Sequence, residues 1–175
     1  MLVSSLLLIS CLVQAQECNP LIMKHTYPKE TAERIDVIVH NIVPIVYRKT
    51  VLHYSILYSV PPHLIAAVID QETNGTWNPF VISKKNYDGS CDIGLAQANS
   101  NYLKMYKDKY GLIDPMNYKQ SISFCCQYMR YLYDNSRSWL GALIAYKCGL
   151  MGRPTFKVIQ GALFVLNRID AKETL

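Results

Sequence analysis

Pro61-Pro62-His63-Leu64-Ile65-Ala66-Ala67-Val68-Ile69-Asp70-Gln71-Glu72-Thr73-Asn74-Gly75 is the stretch on which the reading of this chain turns. Paired prolines suit a helix start, because a first-turn residue needs no backbone donor and the ring presets φ. Asn74-Gly75 suits a stop, since both residues tolerate the left-handed conformation that ends a helix. Between them almost nothing polar occurs before the last turn, so the segment reads as a buried helix. On it Leu64, Val68 and Glu72 fall at i, i+4 and i+8, with Ile65 and Ile69 beside them. The Glu72 carboxyl therefore sits on the apolar face at the C-terminal end. Removal from water and the partial negative charge of a helix end both disfavour its ionised form, as suits a general acid working near neutral pH. Asp70 lies about 200° around the helix and cannot share that position.

Taken alone, a glutamate near a helix end is most often a solvated surface group. The residues that follow change the balance. Trp77-Asn78-Pro79, Asn86 and Asp88-Gly89 carry turn signals, and residues 77–97 read as loop. This loop closes with Asp92-Ile93-Gly94-Leu95-Ala96-Gln97. Asp88 and Asp92 are the candidates in this loop for a second carboxylate near the first. Asp beside Gly in a turn usually satisfies its own backbone, which argues against Asp88 and leaves Asp92 open.

Ile65 to Thr73 resembles the catalytic segment of the lytic transglycosylases of the soluble-transglycosylase (SLT), lysozyme-like family, an apolar helix ending in Gln-Glu-Ser. Trp77-Asn78-Pro79 matches the aromatic-Asn-Pro that follows, and Asp92 to Gln97 is similar to the family's Asp-Ile-Gly-Leu-Met-Gln. Ala145-Tyr146-Lys147-Cys148-Gly149 looks like a degraded Ala-Tyr-Asn-Ala-Gly. The spacing from Glu72 to the Gly-Leu-Ala-Gln most resembles the small one-domain enzymes of secretion and conjugation systems. The resemblance implies a mainly α, lysozyme-like helical domain with a small loop or β-hairpin wall beside the cleft. It also implies peptidoglycan glycan strands as substrate, Glu72 as the single acid/base, and Gln97, Tyr146, Leu95 and Ala96 as substrate-binding residues. Tyr146 would donate to the substrate or to Glu72, and Gln97 would hydrogen-bond a sugar. The implied reaction needs no metal and no cofactor. Thr73 keeps the hydroxyl of the usual Ser, Ala96 shrinks a wall where Met is usual, and Lys147 and Cys148 displace Asn and Ala. Two alternatives stay open: a hydrolysing muramidase or chitinase using Asp88 or Asp92, and an inactive peptidoglycan-binding subunit of an envelope machine.

The rest of the chain fits this reading. Its 175 residues are enough for one domain with a real core, and its net charge of +5 is spread without basic runs. Nucleic-acid binding finds no motif, whereas a mild positive field suits an anionic wall polymer. Met1 to Ala15 is apolar, too short to span a bilayer, and resembles a signal peptide. Cleavage after Ala15 competes with lipidation at Cys11, so the expected location is the periplasm or cell envelope, with any membrane contact through that lipid. The expected organisation is signal segment 1–15, packing helices over 16–60 and a catalytic domain over 61–175, acting as a monomer, with a secretion or conjugation apparatus as candidate partner.

Six cysteines leave disulfides and buried thiols equally open, and neither they nor the four histidines show zinc-ligand spacing. Helices are expected over Thr26–Ser59 (broken or kinked at Pro44), from Asn99 to Tyr110, and from Asp114-Pro115 to about Ser136. Two more are expected at Trp139–Cys148 and from Pro154 to Ile169, the last with Phe156, Ile159, Leu163 and Leu166 on one face.

Overall fold

The computed structural model describes residues 37–170. The candidate signal segment with Cys11 and Ala15, Cys18, and the first part of the N-terminal helical run lie outside these residues. Residues 37–42 are helical, and the chain then breaks at Pro44 before α1, Ile45–Leu57. The break is held by Arg48, whose guanidinium donates to the carbonyls of Val43 and His40, both at 2.8 Å, and so satisfies the end of the preceding helix.

Helix α2, Pro62–Glu72, is the centre of the fold. Pro61 occupies its N-cap position and Pro62 its first turn, as the ring geometry dictates. It is buried all round: Leu64, Ile65, Ala66, Ala67, Val68 and Ile69 are core residues, and Asp70 is buried with them. Each large aliphatic side chain here contributes about 1.5–3 kcal/mol by leaving water. The helix stops where Asn74 and Gly75 take φ of 50° and 75°, the Gly75 amide reaching back to the Asp70 carbonyl at 2.7 Å.

A short antiparallel hairpin follows, β1 (Asp92–Ile93) and β2 (Ala98–Asn99), with Asp92 opposite Asn99 and Ile93 opposite Ala98. A 3-10 turn at Ser100–Tyr102, capped by the Asn99 side chain, leads into α3, Leu103–Tyr110, which ends at Gly111 with φ 70°. Then come α4 (Tyr118–Ser136), α5 (Trp139–Cys148) and α6 (Phe156–Asp170). Helix α4 packs on α1, α3 and α5, while α2 lies between α1 and α6. The result is a mainly helical, lysozyme-like globule with one small β wall.

Two expectations need correction. Asp114-Pro115 does not open α4; Asn117 does, its Oδ1 accepting from the Lys119 and Gln120 amides at 3.1 and 3.3 Å. Asp114 instead closes a turn onto the Met116 amide, while Gln120 Oε1 accepts from the amides of Ile113 and Asp114. Among the described side chains of α6 the buried ones are Ala162 and Val165, whereas Phe156 and Leu163 are exposed. Here α6 lies against α2, with the Gln71 amide 3.5 Å from the Gly161 carbonyl. The Leu166 side chain lies outside the described ones.

The hairpin turn is fixed by one glycine. Gly94 has φ +76°, and a Cβ there would stand 1.9 Å from the Pro115 carbonyl oxygen. Replacing Gly94 with Ala forces both a left-handed alanine and a backbone collision. Its expected cost is on the order of 3 kcal/mol, measurable as a lowered urea midpoint.

Candidate active site

Glu72 leaves α2 at its last residue, and two contacts set its direction. Thr73 donates its hydroxyl to the Ile69 carbonyl at 2.8 Å and accepts from the Trp77 amide at 3.2 Å, tying the helix end to the returning chain. Trp77, with φ 51°, turns back under the helix, donates its indole N–H to Asp70 Oδ1 at 3.0 Å, and stacks on the Tyr47 ring. Asp70 and Glu72 thus point to opposite sides. One carboxylate anchors the turn below; the other opens into a cleft of about 550 Å³.

That cleft brings Glu72, Ala96, Gln97 and Tyr146 together. Gln97, at the foot of the hairpin turn with φ 47°, donates from Nε2 to the Gly94 carbonyl at 2.8 Å, which fixes the amide and leaves its oxygen to accept from a ligand. Tyr146 donates its hydroxyl to the Ala96 carbonyl at 2.7 Å, not to Glu72, with the Cys125 sulfur 3.7 Å away. Burial, then the neighbouring Cys125 and Glu72, hold this phenol well above the ordinary tyrosine value, so it stays a donor. Leu95, expected at the substrate, is a fully buried core residue and does not line the cleft. Ala96 is buried as well but borders the cleft, beside the half-buried Gln97.

The two candidate second carboxylates separate cleanly. Asp88 accepts from Ser90 Oγ at 2.6 Å, from the Ser90 amide at 3.0 Å and from Asn101 at 3.0 Å, away from the cleft. These donors, the Ser90 hydroxyl first, hold its carboxyl below the ordinary value. Asp92 does line the cleft, its oxygens accepting from Asn99 at 2.9 Å and Asn86 at 3.3 Å.

The sequence reading did not anticipate the partner of Glu72. Lys147 Nζ donates to Glu72 Oε1 across the cleft, joining the ends of α2 and α5. The Glu72 side chain is 13% exposed. The ammonium occupies the carboxyl oxygen that would otherwise face the cleft. The only sequence signal was Lys147 standing where Asn is usual. Asp70 was also missed as an anchor, because a carboxyl inside an apolar run gives no hint of an indole seven residues later. The opposite wall is aromatic: Tyr102 and Met105 are exposed at its rim, and Tyr106, Phe124 and Tyr128 pack beneath. Among the described residues no group of three His, Cys, Asp or Glu is placed to hold a metal ion.

Cys91, Cys125, Cys126 and Cys148 are free thiols. Burial pushes Cys125 up to about 12, and Cys126 is raised as well. Iodoacetamide needs a thiolate, so at pH 8 it should label Cys91 and Cys148 in the native protein and reach Cys125 and Cys126 only after unfolding. Peptide mass mapping reads this directly. Trp77→Phe should cost on the order of 1–3 kcal/mol, since the buried Asp70 oxygen loses its indole donor, and equilibrium denaturation measures the loss.

Comparison with known proteins agrees with this geometry. A family model described as the transglycosylase SLT domain matches residues 51–155, which is more than half of the chain and contains every residue of the cleft. No curated protein matches the chain, and neither does any solved structure. Lytic transglycosylase-type chemistry on peptidoglycan is what this domain carries out, and the chain belongs to the transglycosylase SLT-domain family.

Proposed function

We propose that the chain cleaves the β-1,4 bond between N-acetylmuramic acid and N-acetylglucosamine and leaves a 1,6-anhydromuramoyl end. The observation that carries this reading is the placement of Glu72: a nearly enclosed carboxyl, at the exit of a buried helix, in one cleft with Gln97 and Tyr146. Protonated Glu72 gives its proton to the glycosidic oxygen. The carboxylate so formed takes the proton of the muramoyl C6 hydroxyl, and that oxygen closes onto C1. An intramolecular nucleophile takes the place of water because its effective concentration is very high. The acetamido group assists as charge develops on the ring, as in glycosidases without a second carboxylate. Gln97 Oε1 accepts from a sugar hydroxyl, and exposed Tyr102 offers a face for a sugar ring.

The same reading places the chain in the periplasm or cell envelope, exported through the apolar segment Leu2–Val13, with cleavage after Ala15 or a lipid at Cys11. The Glu72-to-Gln97 spacing supports kinship with the small secretion- and conjugation-associated enzymes. One observation favours a second reading: Asp92 shares the cleft, and a water activated there would give ordinary hydrolysis.

Mass analysis of muropeptides released from purified sacculi separates the two. Anhydro ends, lighter by one water than hydrolytic ends, are expected. Glu72→Gln should lower cleavage by ~10²–10⁴-fold, the range a positioned general acid supplies, with the fold intact by circular dichroism. Wild-type cleavage by that variant would end the proposal.

A further inference from the structure

The contact between Lys147 and Glu72 is at odds with the first step of the reaction. Glu72 must carry a proton when the glycosidic oxygen arrives, yet the Lys147 ammonium donates to Oε1 and so occupies the oxygen that the proton needs. Lys147 is in the last turn of α5, where the helix end favours a cation, and its side chain is 31% exposed. A four-carbon stem lets the ammonium swing without moving the helix. Leaving Glu72, however, it needs another anion. The other carboxylate on the cleft lining, Asp92, already accepts amides from Asn99 and Asn86 on its two oxygens.

We propose that Lys147 is a substrate-released latch on Glu72, which makes carboxylate groups carried by the glycan a condition for rapid cleavage. This rests on the reading of Glu72 as the general acid. The strand supplies the missing anion: the peptide stems on its muramoyl residues carry carboxylates close to the scissile bond. On binding, the ammonium exchanges Glu72 for a substrate carboxylate, and Glu72 takes a proton from solvent. Both charges of the original pair then have new partners. A glycan with no carboxylate leaves the pair closed. Lys147 is thus a positioning residue and a source of specificity, acting through Glu72 rather than on the reacting atoms.

The test compares native sacculi with the same sacculi after their carboxyl groups have been converted to methylamides, which removes the charge and keeps the glycan. The full chain, Lys147→Arg and Lys147→Asn are assayed on both, with initial rates resolved into kcat and KM. For the wild type, kcat should fall ~10-fold or more on the neutralised substrate, within what loss of a positioned general acid can produce. Lys147→Arg should keep this discrimination, because a guanidinium also pairs with carboxylates. Lys147→Asn should treat the two substrates within about twofold of each other, since little differential interaction then remains. Discrimination retained in full by Lys147→Asn, absent in the wild type, or confined to KM overturns the latch. With Glu72-dependent cleavage of native sacculi intact, such a result overturns the latch alone. No cleavage of native sacculi by the wild type overturns the parent reading, and the latch with it.

Discussion

A helix buried on every side must still end at the surface, and how α2 ends governs the rest of the molecule. Leu64 to Ile69 hold it in place through the core. At its last turn two carboxyl groups emerge two residues apart and therefore on opposite faces. Asp70 spends its side on the Trp77 indole, which pins the returning loop beneath the helix. Glu72 is then left facing the cleft with no freedom to exchange places. The chemistry of one acid depends on the structural duty of the other.

The cleft needs two more walls, and both arrive as the ends of other elements. The hairpin turn at 94–97 presents Ala96 and Gln97, while the C-terminal turn of α5 presents Tyr146 and Lys147. Gly94 lets the hairpin lie against the Pro115 carbonyl, and Tyr146 ties α5 to that hairpin through Ala96. Helix ends and tight turns are where backbone geometry leaves polar side chains free to face a ligand. Three such ends converge here.

Much of this was legible in the residues themselves. Pro61-Pro62 and Asn74-Gly75 bracket α2 as their backbone preferences dictate, and Asn99 with Gly111 bracket the next helical stretch. Glycine marks the end of α5 in the same way. Local conformational chemistry was enough for each. What escaped depended on distant partners. The start of α4 turned on whether Asp114 or Asn117 captured the free amides, and both are competent caps. The described part of α6 buries Ala162 and Val165 and exposes Phe156, which depends on how the helix is rotated against α2 and α5. Leu95 and Ala96 are neighbours in sequence and both buried, yet only Ala96 borders the cleft. Lys147 and Glu72 are far apart in the chain, and no periodicity links them.

The hydroxyl of Tyr146 on the Ala96 carbonyl has a mechanical corollary. It ties the C-terminal turn of α5 to the hairpin at the floor of the cleft, because a half-buried donor and a backbone acceptor part only at the expense of both. The outer lip at Tyr102 and Met105, where side chains stand free, is the compliant edge. The molecule grips like a vice with one fixed jaw and one padded one.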